Sequence, residues 1–325
     1  MVNNVKTREY VIDLLRAIGI ILIFAAHCSF PEWFHYFRSF DVVLLMFVSG
    51  LSFHKSEPEW NVRNYFQYLK KRVVRLIIPV WIFLAVFFVI FNFALNYGFD
   101  RMTIIKSFLF TAGGILFVWI YRIFIGTAIT TPLLSRFLKK VPDLWIISMS
   151  VLLLAGNDAL HYYVIHPINK ELLSDLLSYL ITYPIGYGLM VFLGSRFTDF
   201  THRTKQLFTV VFGILFLSLA FILRFAYLEL FKHPPYLYYI SYGLMWSGFL
   251  YLLLTRLQLP ENKVIIWISK NSMKLYLAHI GVYYLMISYL PKGIIQFAVL
   301  FGLSCILVVL FNLVENALKG KKKDA

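Results

Sequence analysis

Ten apolar runs, each near the length at which a helix crosses a hydrocarbon core, recur along this chain and leave no stretch long enough for a water-soluble domain. They fall near residues 11–29, 39–54, 76–97, 113–135, 143–157, 176–195, 206–226, 236–255, 272–290 and 293–314. The pattern predicts an all-α integral membrane protein of about ten transmembrane helices, forming a single domain over residues 1–325 that ends in a short basic tail, 315–325. Composition agrees: of 325 residues, 60% are hydrophobic and only 14% charged, and the mean hydropathy is +0.74, well outside the range of soluble domains. The first run follows a short polar start with Lys6 and Arg8. It carries Asp13 and Arg16 and lacks a small-residue cleavage site, so it reads as an uncleaved helix.

The net charge of +15 raises the question of nucleic acid. The basic residues lie between apolar runs and form no single patch, so they read as membrane-flanking charge, and no nucleic-acid partner is expected. Counted on alternate sides, one set of connections holds 22 Lys and Arg and the other seven, which predicts both termini in the cytoplasm. Cys28 and Cys305 both sit inside apolar runs and imply no disulfide framework.

Charge within the runs is costly and calls for a reason. Arg16 and His27 are 11 residues apart, so on a regular helix they lie within ~20° of one another and ~16 Å apart along the axis. They share a face, Arg16 at the inner end and His27 at the outer. Snorkelling of Arg16 and a backbone partner for His27 are the plainer alternative. The second run begins with Asp41, at the depth where the first leaves with His27. A carboxylate there either orients the imidazole as a general base or caps its own helix. Ser49 and Gly50 permit close approach of a helix or a ligand. Before the third run, Arg72 and Arg75 are three apart, beside Lys70 and Lys71; such guanidinium pairs suit phosphate, although positive-inside anchoring explains them equally. Arg122, between "VWIY" and "IFIG", is a cavity-lining candidate without an assigned partner. Tyr238 and Tyr242 read as an interface belt more readily than as a sugar platform.

Taken together, "IDLLR" leading into Arg16-x10-His27, "FDVVLLMFVSG", Arg72-x-x-Arg75 followed by Leu76 and Pro79, and Ser272, Tyr276 and His279 in "WISKNSMKLYLAHIGVYYL" resemble the membrane acyltransferase-3 family. The specific match covers the first 80 residues, with support from 260–290; "HPPYLYYISYG" is similar to an outer-loop segment of some members. The resemblance implies a bacterial inner-membrane, multi-pass O-acyltransferase of the single-domain type. It would move an acyl group, usually acetyl, from cytoplasmic acyl-CoA to a hydroxyl of a cell-surface glycan or its lipid-linked precursor, with other polysaccharide-assembly proteins as possible partners.

Under that reading His27 is the catalytic base, Asp41 its orienter and Arg16 a group on the donor side. Arg72 and Arg75 bind the phosphates of acyl-CoA with Arg16, and Ser49, Arg122, Tyr276 and His279 contact substrate, a core role for His279 being equally open. No metal and no permanently bound cofactor is expected; acetyl-CoA is a donor substrate. The rival class is a transporter or flippase of lipid-linked glycan, which should carry inverted repeats or helices broken at the midplane. The sequence shows neither.

Overall fold

The computed structural model describes residues 2–56, 61–111, 113–115, 117–286 and 289–321, and every regular element among them is helical. Helix α1 (Val2–Ala26) leads through the short α2 (Glu32–Arg38) into α3 (Asp41–Ser56). Helix α4 (Val62–Val89) continues through a π-helical turn, Ile90–Ala94, to α5 (Arg101–Phe108) and α6 (Trp119–Leu138). Then come α7 (Asp143–Leu160) with a π turn at His161–Ile165, α8 (Glu171–Leu177), a π turn at Ser178–Thr182, and α9 (Tyr183–Phe197). The chain closes with α10 (His202–Ile222), a 3₁₀ turn (Leu228–Phe231), α11 (Leu237–Leu257), α12 (Lys263–Lys270), α13 (Ser272–Met286) and α14 (Ile294–Lys321). Of the basic tail, Lys322 and Lys323 lie outside the described residues.

Seven of these segments are long and apolar enough to cross a membrane unaided, making this a multi-pass membrane protein. They sort by burial. The apolar window of the α2–α3 segment is 72% buried and that of α11 67%, whereas α10 and α14 bury only 22% and face lipid. Helix α3 stands at the centre against α1, α9 and α11, and α6 lies between α4 and α9. The remaining three of the ten expected spans are α1, α6 and α13. Among the described residues the shortfall has a local correlate: α1 carries Asp13 and Arg16, α6 carries Arg122, three threonines and Pro132, and the described part of α13 spans 15 residues. These three helices bring together most of the chemistry described below.

Two expected boundaries move. Helix α4 begins 14 residues before the apolar run at 76, so Arg72 and Arg75 share a face of that helix, as expected; Asn61 starts it by accepting from the Asn64 N–H at 2.7 Å. The run at 113–135 turns helical only at Trp119. Gly113 and Phe117 both have positive φ, 79° and 80°, which bends the chain before α6.

The contact of α3 with α9 is made backbone to backbone. A Cβ at Gly50 would lie 1.9 Å from the Val191 carbonyl oxygen, and one at Gly194 2.1 Å from that of Phe47. The small-residue reading of Gly50 holds, and its purpose is helix packing. Gly50→Ala and Gly194→Ala are therefore expected to cost about 3 kcal/mol or more, because backbone cannot yield as a side chain does. Gly156→Ala and Gly302→Ala, whose added Cβ meets nothing within 4 Å, should leave the melting temperature in detergent unchanged. Equal melting of all four variants would refute this close packing.

Candidate active site

Two adjoining cavities enter the bundle at the Arg16 end of α1. The first, about 430 Å³, is a polar mouth lined by Asn64, Gln67, Lys71 and Arg75. It shares Ser52, Tyr68 and Arg72 with the second, a deeper cavity of about 250 Å³. Arg16, Ser49, Tyr121, Thr127, Thr131, Ser272 and Tyr276 supply polar atoms to an otherwise apolar wall there. Arg72 and Arg75 thus meet at one opening, as their spacing on one helical face requires. Arg72 Nε donates to the Tyr68 hydroxyl at 3.3 Å, which aims the guanidinium at the junction of the two cavities.

Arg16 is fixed by hydroxyls. It donates to Ser269 Oγ at 3.1 Å and to Ser52 Oγ at 2.5 Å, and Asp13 lies 3.6 Å away, itself accepting from Ser269 Oγ at 2.5 Å. This network ties α1 to α3 and α12 and holds the arginine on the cavity wall, which answers the cost of a cation at that depth. Ser52 follows Ser49 by three positions, and that same-face spacing was a usable signal for it. Ser49 lines the cavity as expected and returns its own hydroxyl to the Leu45 carbonyl at 2.8 Å.

At the deep end stands Tyr276. Its hydroxyl donates to the Phe117 carbonyl at 2.7 Å, and its own carbonyl oxygen receives His279 Nδ1. A carbonyl only accepts, so Nδ1 carries a proton, and in the neutral ring Nε2 keeps the lone pair. His279 is fully buried, and its Nε2 has no partner among the described residues. Its ring lies nearly parallel to that of His27, 5.3 Å between centroids and 17° between planes. His27 is partly exposed, packs its ring on Phe117 at 3.9 Å, and makes no side-chain hydrogen bond among the described residues. Two imidazoles therefore stand together just behind the cavity's end wall. His279 is a neighbour of His27 and not a cavity-lining residue. No sequence signal marks Phe117, whose role depends on its left-handed backbone.

Two expectations need correction. Helix α1 ends at Ala26, and the His27 N–H reaches back to the Phe24 carbonyl at 3.2 Å in a tightened last turn. His27 is thus past the helix end, and its azimuth is set by that turn and not by a regular 3.6-residue repeat. Asp41 does not orient His27. Its Oδ2 accepts from Arg38 at 2.6 Å and its Oδ1 from the Val42 N–H at 2.6 Å, so both oxygens are engaged at the start of α3. Arg38 is 4% and Asp41 1% exposed. Arg38 also bonds Glu229 at 3.1 Å, and Glu229 pairs with Lys232 at 3.1 Å. The short helix α2 makes this possible, because it buries an arginine that sequence reasoning counts among loop cations.

Arg122 lies away from this cavity, although its neighbours Tyr121 and Phe124 line it. Its guanidinium stacks on Tyr179, 3.4 Å from the ring centroid. Tyr238 and Tyr242 are buried and form no interface belt: the Tyr238 hydroxyl meets that of Tyr36 at 2.7 Å, and the Tyr242 hydroxyl donates to the Phe37 carbonyl at 2.7 Å. Among the described residues no group of His, Cys, Asp and Glu is placed to hold a metal ion.

A search against protein-family profiles matches residues 9–314 to the acyltransferase domain of the membrane acyltransferase-3 family. The chain belongs to this family. Neither the curated proteins nor the solved structures give a match. As a member of the acyltransferase-3 family the protein is a membrane acyltransferase, and the match spans both cavities, the histidine pair and the Arg122 region.

Proposed function

We propose that the protein is an O-acyltransferase that takes an acyl group, acetyl above all, from acyl-CoA and delivers it to a hydroxyl of a surface glycan or its lipid-linked precursor in the bacterial inner membrane. The observation that carries this reading is the cavity itself: it opens among Lys71, Arg72 and Arg75 and ends on the tyrosine that anchors His279 beside His27. The phosphates of CoA suit the mouth by charge-assisted bonding, and the acylated arm suits the apolar wall. The proposed topology has ten crossings with both termini in the cytoplasm, which puts the mouth where acyl-CoA is made.

In the proposed reaction His27 removes the proton of the acceptor hydroxyl as its oxygen bonds to the thioester carbonyl carbon. The C–S bond then breaks, and the CoA thiolate takes the proton from the imidazolium, leaving an ester and free CoA. The bare Nε2 of His279 supports the pair as a second base.

Arg72→Ala and Arg75→Ala are each expected to weaken acetyl-CoA binding about 10-fold or more, the scale of a lost charge-assisted hydrogen bond (about 1.5–3 kcal/mol). Arg203→Ala, on α10, is expected to leave it unaltered. Calorimetry on the purified protein reads this directly. Parent-like affinity in both mouth variants would remove acyl-CoA from the mouth. Mass spectrometry of surface polysaccharide from a deletion strain should show a missing acetyl mass.

A further inference from the structure

Arg122 is the one cation in the described part of α6 before its last turn, and it makes neither a hydrogen bond nor an ion pair among the described residues. Five N–H donors on a half-buried guanidinium inside a membrane bundle are expensive to leave idle. The stacking on Tyr179 satisfies one face of the group and none of its donors. Asp175, on α8, is exposed and makes no ion pair with Arg122. Lys232, by contrast, is already neutralised by Glu229.

Around Arg122 the rings are arranged as a band. Tyr179 and Tyr183 lie 5.0 Å apart, Tyr183 is near-parallel to His233 at 6.2 Å, and His233 meets Trp119 edge-on at 4.4 Å. The π turn at Ser178–Thr182 presents Tyr179 to the arginine, an irregularity common at functional sites. His233 is exposed, and Trp119 and Tyr179 are partly so. The band also runs toward the reacting centre. Trp119 lies two residues after Phe117, on which His27 packs, and Lys232 sits 5.9 Å over the Trp119 ring.

We infer that Trp119, Tyr179 and His233, backed by the buried Tyr183 and with Arg122 at their edge, form the acceptor subsite, and that the acceptor is an anionic sugar whose carboxylate or phosphate is held by Arg122. Aromatic faces take the C–H face of a sugar ring, and an unpaired guanidinium takes an oxyanion bidentately. The inference rests on the acyltransferase reading and deepens it by giving the acceptor a charge.

The test uses purified full-length protein in a polyoxyethylene detergent, which carries neither sugar nor phosphate. Saturation-transfer NMR compares glucose, glucuronate and glucose 6-phosphate. At least one anionic sugar is expected to bind about 10-fold more tightly than glucose. Arg122→Gln should abolish that preference, Arg122→Lys should restore part of it, and Trp119→Ala should weaken all three sugars. Acetyl-CoA affinity should be unchanged in every variant. A parent protein without preference, or a preference that survives Arg122→Gln, overturns the proposal. Loss of the preference on adding phosphatidylglycerol also overturns it, by making the anion a lipid headgroup. A retained preference in a protein that does not bind acetyl-CoA would instead refute the acyltransfer reading alone.

Discussion

His27→Ala is expected to reduce acyl transfer by about 10²- to 10⁴-fold, the usual contribution of a positioned base. The melting temperature and acetyl-CoA affinity should both stay near those of the parent. The imidazole makes no side-chain hydrogen bond among the described residues and touches the protein through the rings of Phe117, His279 and Tyr283, so its removal breaks no hydrogen bond. His279→Ala is expected to differ. His279 is fully buried and bonded to the Tyr276 carbonyl, so its loss opens a cavity and lowers the melting temperature as well as the rate. Turnover with acetyl-CoA and a polysaccharide extract, read beside melting curves, separates the two. A His27→Ala protein of parental activity would remove the base from this histidine.

Asp41→Asn carries the second large effect, and on stability. The Arg38–Asp41 pair is 2.6 Å long and almost wholly buried. Removing one member of such a pair typically costs about 3–5 kcal/mol, because the remaining charge stays buried. Glu229 keeps part of Arg38's compensation, which puts the expected loss near the lower figure. The melting temperature should fall by several degrees, while the pH dependence of kcat/KM in the surviving folded protein should match the parent. If Asp41 were the orienter of His27, the profile would shift and stability would not. Arg38→Gln should reproduce the melting defect, since it breaks the same pair from the other side.

Several parts of the site were legible from spacing alone. Arg72 and Arg75 had to share a helical face wherever that helix began, and the structure places both at the mouth of one cavity. Arg16 was identified by cost: a cation inside an apolar run needs partners, and Ser52, Ser269 and Asp13 supply them. The error at Asp41 is equally instructive. Sequence adjacency suggested contact with His27, but α2, a helix of seven residues, brings Arg38 onto the carboxylate first. Short helices of this kind have too few residues for a periodic signal, and their effect is decided by what they bury. Arg122 shows the same limit, since its stacking on Tyr179 depends on a π turn with no signature in the chain.

By itself, the sequence determined that this chain is a helical membrane protein, where most of its helices run, and which cations lie at its basic end. Those properties follow from apolar length and from charge between runs, which act locally and leave a periodic record. Only the tertiary structure decided that His27 pairs with His279, that Asp41 belongs to Arg38, and that the cavity ends on Tyr276. Each is a contact between helices distant in the chain or a departure from regular backbone. Packing chooses such contacts among many that the same sequence spacing would allow.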